Sequence, residues 1–432
     1  MSIAYGLDFG TSNTVLATSP DGQTAERLVF GEPGDTHSAI ASILSFLSTE
    51  WGGTQAKPEV GPWAIRQFLE YIGDVRFIQS LKSFVASRHF SGTGVYGRRY
   101  DFQDLMSVFL ECAFGHLAMP VDPSGARIVV GRPVIFAGSK PDEALAMQRY
   151  SEAIARFGFG EVLFVYEPVA AAFSFAHRIQ QDATVLVADF GGGTTDYSLM
   201  RFSSKAGVLH ADPLGHGGIG IAGDTFDYRI VDQVVLPQLG KGSLYKSMGK
   251  QLEVPPNLFS NFARWHELSF FKGSDDFKEL KKLLRYCLEE DKVELFIELV
   301  EEDQGYPLFK AVSEAKAQLS SSEETELRFE PLGSEFKAQI KRADFERWIA
   351  GDLAKMEKTL DDTLTEAGVD SAEIDHVFLT GGSSFVPAVR SLFENRFGAQ
   401  RIKSGEELSS IANGLALIGA RDDGPRWAVG GS

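Results

Sequence analysis

The sequence predicts an α/β protein built from two related lobes, and two observations lead to that prediction. The tripeptide Asp-Phe-Gly occurs twice, nearly half a chain apart, and each copy ends an apolar stretch and precedes hydroxyl-bearing residues. Between the copies, apolar strand-like runs alternate with helical patterns, and this order is typical of a mainly parallel sheet flanked by helices. With 432 residues, the chain is long enough for two or three domains with substantial cores.

The two copies of the tripeptide also share their flanking pattern. The first lies in residues 4–17 (AYGLDFGTSNTVLA) and the second in residues 184–200 (TVLVADFGGGTTDYSLM). In both, an apolar strand enters a glycine-containing turn and a second apolar strand leaves it. Glycine lets backbone N–H groups approach a phosphate closely, because no side chain stands in the way. One such turn also suits a plain β-hairpin, whereas two copies favour related lobes that direct phosphate-binding turns at a shared cleft.

The first lobe is predicted to carry an insertion over residues 35–99. Within it, 42–47 is predicted as a strand, 51–58 as a loop and 62–73 as an amphipathic helix. The elements predicted to follow are helices at 101–119, 140–157 and 169–176 and strands at 128–130 and 161–166. Their alternation places the strands in one sheet and the helices on its faces.

The second lobe is predicted to follow a joint at 178–183 and to carry an insertion over 228–310. Residues 236–305 are predicted to be helical and charged. The remaining predicted elements are helices at 228–235, 311–319, 344–367, 387–397 and 409–421 and a strand at 376–379. The small-residue stretches 169–172 and 411–416 are predicted to cross between the lobes, where close packing suits either a hinge or a plain core.

Composition excludes some classes of partner. A formal net charge of −17 disfavours nonspecific binding to nucleic acid and to anionic membranes. No apolar run reaches the length of a membrane span, and the sequence opens on the first predicted strand without a signal-peptide pattern. Cys112 and Cys287 fit no metal-binding spacing and indicate core thiols in a reducing compartment. We therefore expect a cytoplasmic protein.

Six motifs resemble, in the same order, those of the nucleotide-binding part of DnaK-type heat-shock chaperones, in the superfamily of actin and hexokinase. The motifs are GLDFGTSNT (6–14), YEPVAAA (166–172), LVADFGGGTTD (186–196), AGDTFD (222–227), SEAKAQLSSS (313–322) and LTGGSSFVP (379–387). The resemblance implies a two-lobed actin-like ATPase fold of duplicated ribonuclease H-like βββαβαβα domains with subdomain insertions, with lobe I at 1–182 and lobe II at 183–432. It also implies an ATPase with ATP or ADP and Mg²⁺ as ligands, like the short YegD-like chaperones that lack the peptide-binding domain.

The phosphate end of the predicted site rests on acidic residues and one lysine. Asp8 and Asp189, one per lobe, are predicted to hold hydrated Mg²⁺ through its waters; capping a turn is the alternative role of each. The resemblance implies that Glu167 orients or deprotonates the attacking water and that Lys82 reaches the γ-phosphate. A glutamate that stabilises a helix N-terminus and a surface lysine are the alternatives. Asp196 is expected behind these groups, as a candidate ligand of a monovalent ion such as K⁺.

The glycine turns supply the rest of the predicted phosphate site. Thr11 and Thr194 match the hydroxyl residues with which the family contacts phosphate, and Thr194 is also counted among the catalytic residues. The predicted phosphate-binding residues are Gly10, Thr11, Ser12, Asn13, Gly191, Gly192, Gly193, Thr194, Thr195 and Gly223. Phosphoryl transfer to water needs donors around the phosphates, Mg²⁺ and a positioned water, and this set would supply the donors.

The adenosine end is implied by the resemblance alone. Its predicted residues are Asp224, Lys316, Ser320, Gly381, Gly382, Ser383 and Phe385. The chain departs from the family here, because Ala317 and Phe385 stand at the usual arginine positions and Ser313 stands at the usual acidic one. The Phe385 ring could stack on adenine, and Glu314 could reach a ribose hydroxyl.

Three other functions fit parts of the pattern. A sugar kinase of the same superfamily would need an aspartate base beside its acceptor, for which no convincing candidate stands out. An actin-like or MreB-like protein would form filaments with nucleotide, and a regulator without turnover would bind nucleotide only. The expected partners are a nucleotide and a protein client or co-chaperone, and the sequence leaves the oligomeric state open.

Overall fold

The computed structural model describes most of the chain. The described residues are 3–49, 55–71, 74–138, 140–176, 182–205, 208–264, 271–333, 336–403 and 410–429. The chain forms two compact units, the first made of Met1–Glu70, Asp74–Ala222 and Ala354–Ser432 and the second of Tyr71–Gly73 and Gly223–Leu353. The lobe boundary at 182/183 stays a prediction.

The strands and helices are numbered in chain order. The strands are β1 (Ala4–Phe9), β2 (Asn13–Ser19), β3 (Glu26–Arg27), β4 (Ile40–Ala41), β5 (Ile43–Ser48), β6 (Ala56–Val60), β7 (Val75–Gln79), β8 (Thr93–Val95), β9 (Arg98–Tyr100), β10 (Arg127–Arg132), β11 (Glu161–Tyr166), β12 (Ala183–Phe190), β13 (Thr195–Lys205), β14 (Val208–Ile219), β15 (Leu244–Ser247), β16 (Lys250–Glu253), β17 (Glu324–Arg328), β18 (Lys337–Lys341), β19 (His376–Thr380) and β20 (Ile402–Lys403). The helices are α1 (Gly61–Glu70), α2 (Phe102–Gly115), α3 (Glu143–Ala155), α4 (Glu167–Ala176), α5 (Gly223–Ile230), α6 (Asn257–Ser260), α7 (Asp275–Leu283), α8 (Glu290–Glu301), α9 (Gly305–Leu319), α10 (Arg342–Ala367), α11 (Pro387–Phe397) and α12 (Ser410–Gly419). Among the residues described, no helix combines the length and the apolar composition needed to cross a bilayer.

Two sheets of the first unit repeat one topology. One runs β3-β2-β1-β10-β11, with β4 added beside β2, and the other runs β14-β13-β12-β19-β20. In each, three antiparallel strands come first, and the two later strands lie parallel on the other side of the first one. Crossover helices α3 and α11 join the later strands, as parallel pairing requires. The duplicated α/β fold expected from the paired Asp-Phe-Gly turns is thereby confirmed.

Small residues let α4 and α12 meet at their backbones in the core of the first unit. A Cβ atom on Gly414 would lie 1.7 Å from the carbonyl oxygen of Ala170, so only glycine fits there. On the β1 side of α12, a Cβ atom on Gly6 would lie 2.3 Å from the Ala412 carbonyl oxygen. The same core includes the apolar residues of β11 and β12, so these helices lie behind the strand ends that carry the candidate site.

The second unit is held together by aromatic side chains. Phe262 lies at the centre of this cluster, with its ring centroid 4.8 Å from that of Phe296 and 5.7 Å from that of Phe271. The hairpin β17–β18 packs beside α9, the helix that carries Lys316. The acidic runs around residues 289–291 and 301–303 are mostly exposed, as their composition indicated.

Several sequence-based boundaries were wrong. The predicted loop 51–58 contains the start of β6, in which Pro58 is tolerated because β6 is the edge strand of the sheet β6-β5-β7. The segment 236–305, predicted to be helical, contains the hairpin β15–β16. Residues 72–73 of the predicted helix, most of the joint 178–183, and residue 409 lie outside the described residues.

Candidate phosphate site

The two glycine turns have the same internal geometry. The Gly10 N–H donates to the Asn13 carbonyl at 2.9 Å, and the Gly191 N–H donates to the Thr194 carbonyl at 3.0 Å. Each turn is closed by a phenylalanine opposite a threonine, Phe9–Thr14 in one hairpin and Phe190–Thr195 in the other. Asp8 and Asp189 therefore occupy equivalent positions, one residue before the closing phenylalanine.

The second turn lies close to the first. A Cβ atom on Gly193 would be 3.5 Å from Oγ1 of Thr11 and 3.9 Å from Oγ of Ser83. Ser83 belongs to the 3-10 helix Leu81–Phe84, so this short helix stands beside both turns. In the first turn, Ser12 and Asn13 are exposed, and Thr11 is partly exposed. Turn amides and hydroxyls from both hairpins are thus concentrated in one small region of the first unit.

Lys82 and Glu167 form a buried ion pair next to these turns. Lys82 Nζ lies 2.5 Å from Glu167 Oε1, and the two residues are only 8% and 5% exposed. Burial opposes the charge of Lys82, but the charges of Glu167, Tyr150 and Asp8 and the hydrogen bond to Glu167 together outweigh it and raise the pKa of the ammonium group. The alternative of a surface lysine at position 82 was wrong. Glu167 is the first residue of α4, where the helix dipole also favours a negative charge.

Three aspartates surround this pair. Burial, followed by repulsion from Glu167, raises the pKa of Asp8 to about 7. The same two causes raise the pKa of Asp196 to about 7, although hydrogen bonds from Thr194 and from two backbone amides act in the opposite direction. Asp189 has its pKa raised well above its ordinary value, by burial first and then by Glu167, Asp196 and Asp8. The structure therefore brings together, within one unit, all five charged residues predicted for the phosphate end.

This charge balance fits a bound cation. The charges of Glu167, Asp196, Asp8 and Lys82 all act on Asp189, so three carboxyl groups and one ammonium group lie near this aspartate. Asp196 Oδ2 is buried without a hydrogen-bond partner. In the described part of the chain, no three His, Cys, Asp or Glu side chains converge closely enough to ligate a metal ion directly. Carboxylates can hold a hydrated ion such as Mg²⁺ through its water ligands, and Asp8 and Asp189 are the pair predicted to do so.

The two threonines of the second turn differ in what their hydroxyls do. The Thr194 hydroxyl donates a hydrogen bond that lowers the pKa of Asp196. Thr195 is fully buried, and its hydroxyl donates to the Ile221 carbonyl at 2.7 Å. The Thr195 hydroxyl therefore holds the chain just after β14, and a contact of Thr195 with phosphate stays a prediction.

The loop after β19 crosses directly beneath the second turn. Gly381 has φ of +81°, and a Cβ atom there would lie 2.1 Å from the Phe190 carbonyl oxygen. The 3-10 helix Gly382–Phe385 follows, with Ser383 buried and Phe385 54% exposed. Four of the residues predicted to bind adenosine, Gly381, Gly382, Ser383 and Phe385, therefore belong to the first unit. The Phe385 ring is not packed into the core.

The other predicted adenosine residues belong to the second unit. Lys316 Nζ donates to Asp227 Oδ2 at 2.8 Å and to the Gly223 carbonyl at 3.2 Å, which ties α9 to the first turn of α5. Burial, with a contribution from Asp227, raises the pKa of Asp224 to about 7, and one oxygen of each aspartate is buried without a hydrogen-bond partner. Ser320 lies at the C-terminus of α9, one turn after Lys316.

Sequence reasoning missed two groups that act on the predicted residues. Asp227, the partner of Lys316, stood within the AGDTFD motif and was not singled out. Arg132 was interpreted only as part of a strand end, Gly131-Arg132-Pro133, yet its side chain is fully buried. An arginine directly after an apolar strand is a usable signal, since buried arginine is rare unless it is paired.

A duplicated five-stranded sheet with a glycine turn after the first strand of each copy defines the actin-like ATPase fold. Within that class, a family model described as "Hsp70 protein" matches residues 146–241 and 270–425. These ranges cover more than half of the chain, and the chain belongs to the Hsp70 family.

Curated relatives agree with that assignment. The chain is 23% identical to chaperone protein DnaK of Deinococcus proteolyticus, over 96% of this chain and 59% of that protein. It is 25% identical to DnaK of Thermosipho melanesiensis, over 98% of this chain and 60% of the relative, and 22% identical to DnaK of Cyanidioschyzon merolae, over 96% and 61%. The chain spans about three fifths of the length of these relatives. These matches agree better with the resemblance to DnaK-type proteins than with the sugar kinase or filament alternatives.

Proposed function

We propose that this chain binds ATP with Mg²⁺ and hydrolyses it to ADP and phosphate, as a nucleotide-operated switch of the Hsp70 type. The observation that carries the proposal is the buried Lys82–Glu167 ion pair, 2.5 Å long, beside two equivalent glycine turns. Turn amides offer donors for phosphate oxygens, and the paired side chains offer a cation and a proton acceptor. A hydrolytic phosphoryl transfer needs these groups and little covalent chemistry from the protein.

Each residue at the phosphate end has a role in this mechanism. Bound Mg²⁺ would supply charge neutralisation at the phosphates, with Asp8 and Asp189 holding its water ligands. Lys82 donates to a phosphate oxygen and, through its ion pair, holds the Glu167 side chain in place. Glu167 accepts a hydrogen bond from the attacking water and orients it. Asp196 adds negative charge behind Asp189, where K⁺ is a further candidate ligand.

The turns complete the phosphate end of the proposed site. Their contribution comes from backbone amides and from the Thr11 hydroxyl, because the hydroxyls of Thr194 and Thr195 donate to Asp196 and to the Ile221 carbonyl. Gly223 lies in the second unit, at the N-terminus of α5, and its contact with phosphate stays a prediction of the AGDTFD motif. These contacts position the phosphates, and positioning supplies a large share of the rate enhancement in such reactions.

For the adenosine end, we propose that Phe385 of the first unit stacks on the base. The binding of ribose by Lys316 and Ser320, which belong to the second unit, stays a prediction of the resemblance. Phe385 is 54% exposed, and an exposed aromatic ring is suited to stacking on a nucleobase. Stacking accepts any base, since every base has a π-face. A competition experiment between ATP and GTP measures the preference of the protein for one base over another. We expect the two dissociation constants to differ by less than about tenfold, which corresponds to about 1.4 kcal/mol.

The test compares nucleotide binding with turnover in wild type, Asp189→Ala and Glu167→Ala. Glu167→Ala should bind ATP normally and lose turnover by about 10²-fold or more, because proton transfer and water positioning contribute that much. Asp189→Ala should weaken ATP binding in Mg²⁺ but change it little in excess chelator. Glu161→Ala is the matched control, since Glu161 begins β11, the strand that Glu167 follows, and pairs with Arg127.

Several outcomes would contradict the proposal. A folded protein that binds no ATP would refute it, and unchanged turnover in Glu167→Ala would refute the role of that residue. ATP consumption that requires an added sugar would favour a kinase, and nucleotide-dependent pelleting would favour a filament.

We also propose a protein client or co-chaperone as the partner and a reducing cytoplasm as the compartment. The free thiols of Cys112 and Cys287 support the choice of compartment.

A further inference from the structure

Arg132 ends β10 as a fully buried arginine that none of the roles above uses. We infer that Arg132 is a positioning residue of the candidate phosphate site, whose guanidinium orients two consecutive peptide groups so that their amides hold the Asp196 carboxylate. In its effect on turnover, this inference rests on the proposed ATPase function. The contacts themselves are independent of that function.

The guanidinium makes three hydrogen bonds in a fork. Its Nε donates to the Pro133 carbonyl at 2.9 Å, and Nη2 donates to the Val134 carbonyl at 3.2 Å. Its Nη1 donates to Glu143 Oε1 at 2.6 Å, which anchors the side chain to the start of α3. A planar guanidinium suits this arrangement because its donors are fixed relative to one another.

The same two peptide groups contact Asp196 on their other side. Val134 N–H donates to Asp196 Oδ1 at 2.8 Å, and Ile135 N–H donates to the same oxygen at 3.3 Å. Each peptide group thus has its carbonyl on Arg132 and its amide on Asp196. When a carbonyl accepts a hydrogen bond, the N–H of the same peptide group becomes a stronger donor. The Arg132 guanidinium therefore strengthens the two hydrogen bonds that the Val134 and Ile135 N–H groups donate to the Asp196 carboxylate.

This relay connects the two duplicated sheets of the first unit. Asp196 lies in β13, directly opposite Asp189 in β12, whereas Arg132 lies in the first sheet. Arg132 Cζ also lies 4.9 Å from the ring centroid of Tyr166, the residue before Glu167. One buried cation therefore contacts both the segment that holds Asp196 and the residue next to the proposed water-orienting glutamate.

A purely structural role is the competing explanation. Arg132 could serve only to tie α3 to the sheet through Glu143 and to fill space against Phe136, whose ring centroid is 4.7 Å away. In that case its loss would cost stability by the same amount whatever residue stands at 196. The two explanations therefore differ in whether Arg132 and Asp196 are energetically coupled.

The first measurement is steady-state turnover of Arg132→Gln and Arg132→Lys. Arg132→Gln should lower kcat about tenfold or more and leave KM for ATP within about twofold, since groups that orient a site residue typically contribute 10 to 100-fold. Arg132→Lys keeps the charge without the fork and should recover part of the lost kcat. The double variant with Asp196→Asn should be no slower than Asp196→Asn alone. Arg88→Gln is the control, because Arg88 is an exposed arginine that pairs with the cap of the same helix α3.

The second measurement is a double-mutant cycle on urea unfolding without nucleotide or Mg²⁺. Arg132→Gln should shift the unfolding midpoint clearly more in wild type than in Asp196→Asn, and equal shifts would overturn the inference. If Arg132→Gln does not fold, the cycle is run with Arg132→Lys, for which the same inequality is expected. If wild type shows no turnover, the proposed function fails, while the unfolding cycle still decides the role of Arg132.

Discussion

Replacing Lys82 with methionine leaves Glu167 buried without its partner. Methionine has a similar length and flexibility, so packing is largely retained and the change is mainly electrostatic. In the wild type, Lys82 and Glu167 are 8% and 5% exposed, which leaves little water to take over from the lost ammonium group. The neighbouring carboxyl groups of Asp8 and Asp189 make the unpaired charge still less favourable. We therefore expect Lys82→Met to be strongly destabilising in the ligand-free protein.

The size of the effect has a calculable ceiling. A buried carboxylate without a partner can take up a proton, and for an ordinary glutamate with a pKa of about 4.3 this costs about 3.7 kcal/mol at pH 7. Removing one member of a buried ion pair typically costs about 3 to 5 kcal/mol, partly offset because Lys82 no longer has to be desolvated. We therefore expect Lys82→Met to lower the free energy of unfolding by about 2 to 3.5 kcal/mol at pH 7.

The effect should also depend on pH. In the variant, the folded state binds a proton that the unfolded state has released, so its stability relative to wild type falls as pH rises above about 4. The slope is at most about 1.4 kcal/mol per pH unit, and the difference should nearly vanish at pH 4. Urea unfolding followed by circular dichroism at several pH values measures both the size and the slope.

Two further variants complete this test. Lys82→Met combined with Glu167→Gln removes both charges and should recover much of the lost stability. Lys57→Met is the control, because Lys57 pairs with Glu59 but is 65% exposed, and it should change stability by less than about 0.5 kcal/mol. A cost below about 1 kcal/mol for Lys82→Met, with no pH dependence, would refute the electrostatic argument.

Three other predictions concern separate parts of the molecule. Gly381→Ala should lower the free energy of unfolding, measured by thermal denaturation, by at least about 2 kcal/mol, because the positive φ and the overlap with the Phe190 backbone both exclude a Cβ atom. Gly382→Ala is the control and should change this free energy little, because a Cβ atom there meets open space. Because burial raises the pKa of Asp8 to about 7, the folded ligand-free protein binds an extra proton, so its stability should fall between pH 4 and 7 and Asp8→Asn should reduce that fall. Lys316→Met should lower the free energy of unfolding by about 2 to 4 kcal/mol, and Lys292→Met, which removes an exposed pair, by less than about 0.5 kcal/mol; equal effects would contradict the argument from burial.

The parts of the fold that were predictable are those specified by local sequence. Gly10 and the glycines 191–193 mark turns wherever they occur, and apolar runs on both sides identify the strands. The repeat of the pattern then indicated the duplicated sheets, because equivalent turns need equivalent strands. Pro387–Phe397 and Glu161–Tyr166 were predicted with their observed bounds, since proline begins the helix and β-branched and aromatic residues dominate the strand.

The parts that were not predictable depend on distant partners. The hairpin β15–β16 contains Lys246, Lys250 and Glu253, and its sequence shows no clear alternation of apolar and polar residues. Because the flanking sequence has helical patterns, the hairpin was predicted to be helical as well. Arg132 follows an apolar strand and precedes proline, a pattern that fits a solvent-facing strand end. Its burial depends on Glu143, on Tyr166 and on two carbonyls of the following loop, and only the folded chain shows that all of them surround one guanidinium.

The backbone contact between α4 and α12 has a mechanical consequence. At Gly414 and Ala170 no side chain separates the two helices, so no side-chain ridge of one helix packs into a groove of the other at this point. Moving one helix toward the other meets hard backbone repulsion at once, and the contact of Gly6 with Ala412 fixes the opposite side of α12 in the same way. We therefore expect the spacing of α4, α12 and β1 to be rigid to compression. Because Glu167 is the first residue of α4, this spacing also fixes the depth at which its carboxylate faces Lys82.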